Sequence, residues 1–219
     1  MNIHKTRLSL LLNAAVSVLG ALSLTAAVVR ESERWLRVFR YMTVIGTLYT
    51  TLLSCAVFVL GLRALRTGRE AGGAPLYFLR LSAAVTESVI AIVIALSFLP
   101  SIPDDPDIFR FDSFIMHVLL PPLSVTAFVL GAPPQAKQRP LTHFNGSWLL
   151  TVYSAAVTAM IITGVMPPGE IPYSFLEAGS RPLWYVLLAA AIVYGGAYLL
   201  SVGLCAANRG AARLFGQGS

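Results

Sequence analysis

Six apolar runs, at Leu8–Val29, Tyr41–Leu62, Leu76–Leu99, Ser113–Gly131, Trp148–Met166 and Pro182–Leu204, decide what this chain can fold into. Each is close to the roughly 20 helical residues that cross a hydrocarbon core. None alternates strictly between polar and apolar positions, and all exceed strand length, so they read as helices and not as barrel strands. Together they take up most of the 219 residues and leave no stretch for a separate soluble domain. Composition agrees: 12% of residues are charged, against about 25% in a typical soluble domain. The expected fold class is therefore all-α, a polytopic membrane protein whose residues 1–219 form one six-helix transmembrane domain. A soluble enzyme, a disordered chain, a disulfide scaffold and a coiled coil are excluded. The first run follows Lys5 and Arg7, as a signal peptide would. At 22 residues it is longer than an h-region of about 7–15 residues, so it reads as a retained helix.

The formal net charge of +6 does not point to nucleic acid, because the basic residues sit in short clusters between apolar runs. Such clusters report topology. With the N-terminus inside, nine Lys and Arg fall in inner segments, from Lys5 and Arg7 to Arg209 and Arg213; six fall in outer loops. This asymmetry predicts that both termini are cytoplasmic. Cys55 and Cys205 lack the spacing of a zinc site or a disulfide framework. No Gly-rich phosphate loop or dinucleotide fingerprint is present, so neither metal nor cofactor is expected.

Polar residues inside the runs carry the functional signal, since ionisable groups in a membrane are costly and polar ones turn inward. Thr43, Thr47, Thr50 and Ser54 recur at spacings of four, three and four on one helical face. Ser147, Thr151, Ser154 and Thr158 form a similar series in the fifth run, which reads as a packing seam. Close packing by small hydroxyls also accounts for most of the first series. His117 lies five residues after Asp112, about 7–8 Å below the outer end of its helix, and Thr43 lies about 4–5 Å below the same surface. A neutral imidazole within reach of a hydroxyl takes its proton and makes it a nucleophile; otherwise a lone membrane histidine is a structural hydrogen-bonder. Pro121 and Pro122 remove the N–H groups that would bond the carbonyls of His117 and Val118, so the helix is expected to bend there. Arg80 sits near the inner end of the third run, where it can snorkel. Glu87 lies close to mid-membrane, as a hydrogen-bond anchor or a proton-carrying group. The segment Pro167–Glu177 is turn-rich; its Tyr173, Phe175 and Leu176 suit either an apolar lid or an interfacial anchor.

Three short motifs on this frame resemble a known family. Phe39-Arg40-Tyr41-Met42-Thr43, His117-x-x-x-Pro121 and Tyr173-Ser174-Phe175-Leu176-Glu177 occur in the order found in the androgen-induced-gene and androgen-dependent TFPI-regulating membrane proteins and their small bacterial relatives. The resemblance implies a threonine hydrolase of fatty acid esters of hydroxy fatty acids, in a bacterial inner membrane, with Thr43 as nucleophile and His117 as base. The partners it implies are the bilayer and a lipid or fatty acyl ester. The family's Tyr-Pro-Phe-Leu-Glu appears here as Tyr-Ser-Phe-Leu-Glu. Bacterial relatives often carry an Asn where this chain has Thr47, and many an Asp where it has Ala127. Thr47, Glu87, Pro121, Tyr173, Phe175 and Glu177 are the residues expected to bind substrate or support the pair. Thr47 and Tyr173 are candidate oxyanion donors; Glu177 and Ser113 are candidates for a third member. The competing readings are a proton-coupled transporter centred on Glu87 and a non-catalytic lipid-binding protein.

Overall fold

A computed structural model describes residues 3–68, 73–98, 109–135, 140–166 and 182–215. All regular structure among them is helical. The helices are α1 (Ile3–Arg30), α2 (Met42–Thr67), α3 (Ala74–Phe98), α4 (Phe111–Gly131), α5 (Trp148–Ile162) and α6 (Leu183–Leu214). Six helical segments are long and apolar enough to cross a membrane. Short 3-10 segments, Ser32–Arg40 and Pro140–Ser147, precede α2 and α5. Leu11, Leu96, Ile162 and Leu199 project from the bundle, as side chains facing lipid tails do, because a bilayer does not penalise their exposure.

The helices cross where hydropathy places them but do not end there. α6 runs ten residues beyond Leu204, through Asn208 and Arg213. Basic residues good at helix formation end an apolar run without ending a helix. α2 continues to Thr67 and stops at Gly68, whose φ of +67° lets its N–H turn back to the Ala64 carbonyl at 2.9 Å. α5 ends at Ile162 rather than Met166, because the chain turns at Gly164 with φ of +72°.

α3 is the central helix. Its Tyr77, Leu81, Ala84 and Val85 join Phe128 of α4, Leu149 and Leu150 of α5 and Ala197 and Cys205 of α6 in the main apolar core. Between α1 and α2 the helices approach through Gly20, where a Cβ would collide with the Thr51 side chain. Gly46 does the same for α2 and α3, where a Cβ would lie 2.8 Å from Ile90 Cδ1. Small residues at such crossings let backbones close up where no hydrophobic effect drives association. Tyr49 and Trp148 meet edge to face at 5.5 Å and tie α5 to α2. The hydroxyl series of α5 does not form the packing seam its spacing suggests: Ser147 is buried, but Thr151 and Thr158 are exposed.

Arg80 does not snorkel. It is buried, and its guanidinium donates to the carbonyls of Ala127 at 2.7 Å and Gly131 at 3.1 Å. Asn208 donates to the carbonyls of Val129 and Ala132, both at 3.0 Å. The last carbonyls of a helix have no partner within it, and a cation there is favoured by the helix dipole. That demand holds Arg80 inside. The C-terminal end of α4 is thus fixed by two other helices. Cys55 is exposed on α2 and Cys205 buried on α6, where it accepts from the Tyr77 hydroxyl at 3.4 Å; both thiols are free.

Candidate functional site

Thr43 stands in the first turn of α2. Tyr41, extended at φ −86° and ψ 132°, starts the helix, and its carbonyl accepts from the N–H groups of Val44 and Ile45. The preceding 3-10 segment packs on the body through Val38. Its last carbonyl, that of Arg40, accepts from the Tyr153 hydroxyl of α5. The start of α2 is therefore held from two sides, and Thr43 lies at the positive end of its helix dipole.

His117 stands in a widened turn of α4. Residues Ile115–Leu119 form one π turn, in which the Leu120 N–H reaches back five residues to the Ile115 carbonyl. The cause is in the sequence. Pro121 and Pro122 lack N–H groups, so the His117 carbonyl loses both its i+4 and its i+5 donor. The helix accommodates the gap by taking in an extra residue, a form frequent at functional sites. The bulge stands where the prolines were expected to bend the helix.

This turn aims the imidazole at α2. His117 Nε2 lies 3.4 Å from Thr43 Oγ1, and both side chains are half-buried. That distance is at the long end of hydrogen bonding; catalytic pairs without substrate are often this loose and tighten on binding. The Ser113 carbonyl, one turn earlier on α4, hydrogen-bonds the imidazole. A carbonyl only accepts, so it selects the tautomer protonated on Nδ1 and leaves Nε2 to accept the Thr43 proton. Asp112 is close enough to act on the imidazole through its charge. Its buried carboxylate is paired with Arg30 at the end of α1. An anion held there favours the imidazolium that forms when a proton is taken.

The remaining predicted residues fall in three places. Pro121 is buried one turn inward from His117. Thr47 is fully buried one turn along from Thr43, and no group among the described residues hydrogen-bonds its hydroxyl. Glu87 is not beside the pair: it is fully buried on α3 and faces Thr50. Thr50 lies seven residues below Thr43, a helical distance of about 10 Å. Tyr173, Phe175 and Glu177 lie outside the described residues. Asp112 entered the sequence reading only as a depth marker for His117, and Arg30 only among the charges counted for topology; the cue that could have singled out Asp112 is an acid one helical turn and a half before the membrane histidine. Of Ser113, it is the backbone and not the side chain that serves His117. Among the described residues no three His, Cys, Asp or Glu side chains gather as metal ligands would. Comparisons with protein-family models, with curated proteins and with solved structures give no match.

Proposed function

We propose that this protein is a membrane-embedded ester hydrolase, a bacterial inner-membrane relative of the six-helix threonine hydrolases, acting on lipid or fatty acyl esters. Both termini face the cytoplasm in this reading, which puts the pair near the periplasmic rim. The observation that carries it is the 3.4 Å approach of His117 Nε2 to Thr43 Oγ1 from two different helices. Water enters from the rim and the acyl chain from the side, through the bilayer.

In the first step Thr43 Oγ1 attacks the ester carbonyl as its proton passes to His117 Nε2. The tetrahedral intermediate collapses, and the same proton goes from the imidazolium to the departing alcohol. Water then gives a proton to His117 and its oxygen to the acyl carbon. Thr43 leaves with that proton, and a free acid is released. The Ser113 carbonyl keeps the tautomer correct and the Asp112–Arg30 pair supports the transient imidazolium. The Thr47 hydroxyl, on the same face as Thr43 and without a partner among the described residues, is the donor assigned to the oxyanion.

The test is covalent labelling of the purified protein with a fluorophosphonate, followed by hydrolysis of a fatty acyl ester. Labelling at Thr43 is expected, lost in Thr43→Ala. His117→Ala is expected to slow hydrolysis by about 10²–10⁴-fold, with both variants still monodisperse in detergent. Undiminished labelling in either folded variant rejects the pair.

A further inference from the structure

Among the described residues, two buried side-chain nitrogens have no hydrogen-bond partner, His143 Nδ1 and Arg209 Nη1; the other buried side-chain atoms without one are oxygens. A guanidinium nitrogen only donates, so Arg209 needs an acceptor, and a buried cation is best served by a charged one. The backbone does not supply it. The carbonyls at the end of α4 go to Arg80, which takes those of Ala127 and Gly131, and to Asn208, which takes those of Val129 and Ala132.

Both nitrogens belong to one seam, between α6 and the 3-10 segment Pro140–Ser147. Ser201, Cys205 and Arg209 recur at spacings of four on one face of α6. His143 and Gly146, three residues apart in a 3-10 segment, also share a face. The two faces meet: a Cβ on Gly146 would lie 2.9 Å from Ser201 Oγ, and His143 packs edge-on against Tyr198, with ring centroids 6.1 Å apart. Tyr77 of α3 closes the back, its hydroxyl 3.4 Å from Cys205 Sγ, one turn before Arg209. Helical side chains lean toward the preceding turn, which carries the guanidinium back over Cys205. Its charge acts on His143, Tyr77 and Cys205 alike, so it stands among all three elements.

Charge at this end of the bundle is one-sided. Arg7, Arg63, Arg66 and Arg213 are exposed there, and every acid among the described residues lies elsewhere, with Glu31, Glu33 and Asp112 at the opposite end and Glu87 in the middle. Arg209 stands five residues past Leu204, where its apolar run stops. That is about 7–8 Å along the axis, within the headgroup layer of a bilayer. Beside His143, Leu141 and Phe144 are 79% and 51% exposed. We propose that this seam binds one phosphate group, held by Arg209 with His143 as second donor. A phosphate offers the acceptors that both nitrogens lack, and a guanidinium fork matches its oxygens. Headgroup depth and the apolar flank suit the phosphate of an anionic phospholipid, as basic pockets between spans do; inorganic phosphate presents the same oxygens. The site lies at the opposite end from Thr43 and His117 and does not depend on ester hydrolysis.

Thermal unfolding of the full chain in a neutral detergent tests this without any activity assay. The probe is ether-linked phosphatidylglycerol, which has no acyl ester to hydrolyse; ether-linked phosphatidylcholine, oleate and sodium phosphate are compared with it. A saturable rise in melting temperature of several degrees is expected with phosphatidylglycerol and not with phosphatidylcholine or oleate. Arg209→Gln is expected to abolish the rise and His143→Ala to weaken it. Arg213→Gln, at the exposed arginine one turn on, should leave it intact. A rise with sodium phosphate over sodium chloride at equal ionic strength, lost in Arg209→Gln, supports the site with the free ion as its ligand. Native mass spectrometry of the wild-type chain from an equimolar mixture of the two ether lipids needs no variant: one retained phosphatidylglycerol per chain is expected. An equal rise in Arg209→Gln, a rise with oleate as large as with phosphatidylglycerol, equal retention of the two lipids, or no response to either phosphatidylglycerol or sodium phosphate overturns the site.

Discussion

Two helices of this bundle carry hydroxyls at the same kind of spacing, and their surroundings differ completely. In α2, Thr47, Thr50 and Ser54 are buried and Thr43 is half-buried against His117. In α5, Thr151 and Thr158 are exposed. Thr151 donates to the Ser147 carbonyl at 3.1 Å, and Ser147 to that of Phe144 at 2.8 Å. One series points at polar neighbours on other helices; the other looks after its own backbone and meets the bilayer. Periodicity alone is therefore not a site. What separates the two faces is what stands opposite: an imidazole and a carboxyl for α2, lipid for much of α5.

Substitutions along the two faces can sharpen or break this contrast. The largest effect belongs at the head of the α2 series, where Thr43→Ala should abolish covalent labelling and reduce ester turnover by about 10³-fold or more, while Thr151→Ala leaves both unchanged. If the two variants lose activity alike, the contrast fails. Next is the support behind the imidazole. Asp112→Asn should lower kcat by about 10- to 100-fold, the size typical of groups that orient a reacting residue from behind, with KM little altered; an effect confined to KM would argue against that role. Smaller again is Thr50→Val. Thermal unfolding should find its stability lower by about 1 kcal/mol, because the methyl that replaces the hydroxyl cannot serve the buried Glu87 carboxyl that faces it. The smallest effect is expected from Thr151→Val and Thr158→Val, within about 0.5 kcal/mol in the same measurement.

The number and place of the spans were legible because hydropathy alone sets them. Their ends were not: Gly68 stops α2 and Gly164 turns the chain after α5, while nothing apolar marks how far α6 continues past Leu204. Counting residues from the rim put Thr43 and His117 at nearby depths, since rise per residue is fixed. It could not say which way either points, because that depends on the extra residue in the turn at Ile115–Leu119. The Arg30–Asp112 pair joins residues 82 positions apart, a separation at which charge pattern carries no pairing information. Arg80 was misjudged for a related reason. A chain pattern shows that a cation is near the membrane edge, but not that carbonyls of another helix wait beside it.

The widened turn of α4 also sets a phase relation. Each residue of an α-helix advances about 100° around the axis, so one surplus residue would throw the two ends of α4 out of phase if the wide turn did not absorb it. Excising Val118 would return the helix to its regular winding; Asp112 and Ser113 would keep nearly their present heading, but His117, inside the turn, would rotate by part of that angle, away from Thr43. The anchors at Arg80 and Asn208 would not register the change. In this molecule the direction in which the histidine looks is written in a residue count, and a single deletion would unaim it without dismantling the bundle.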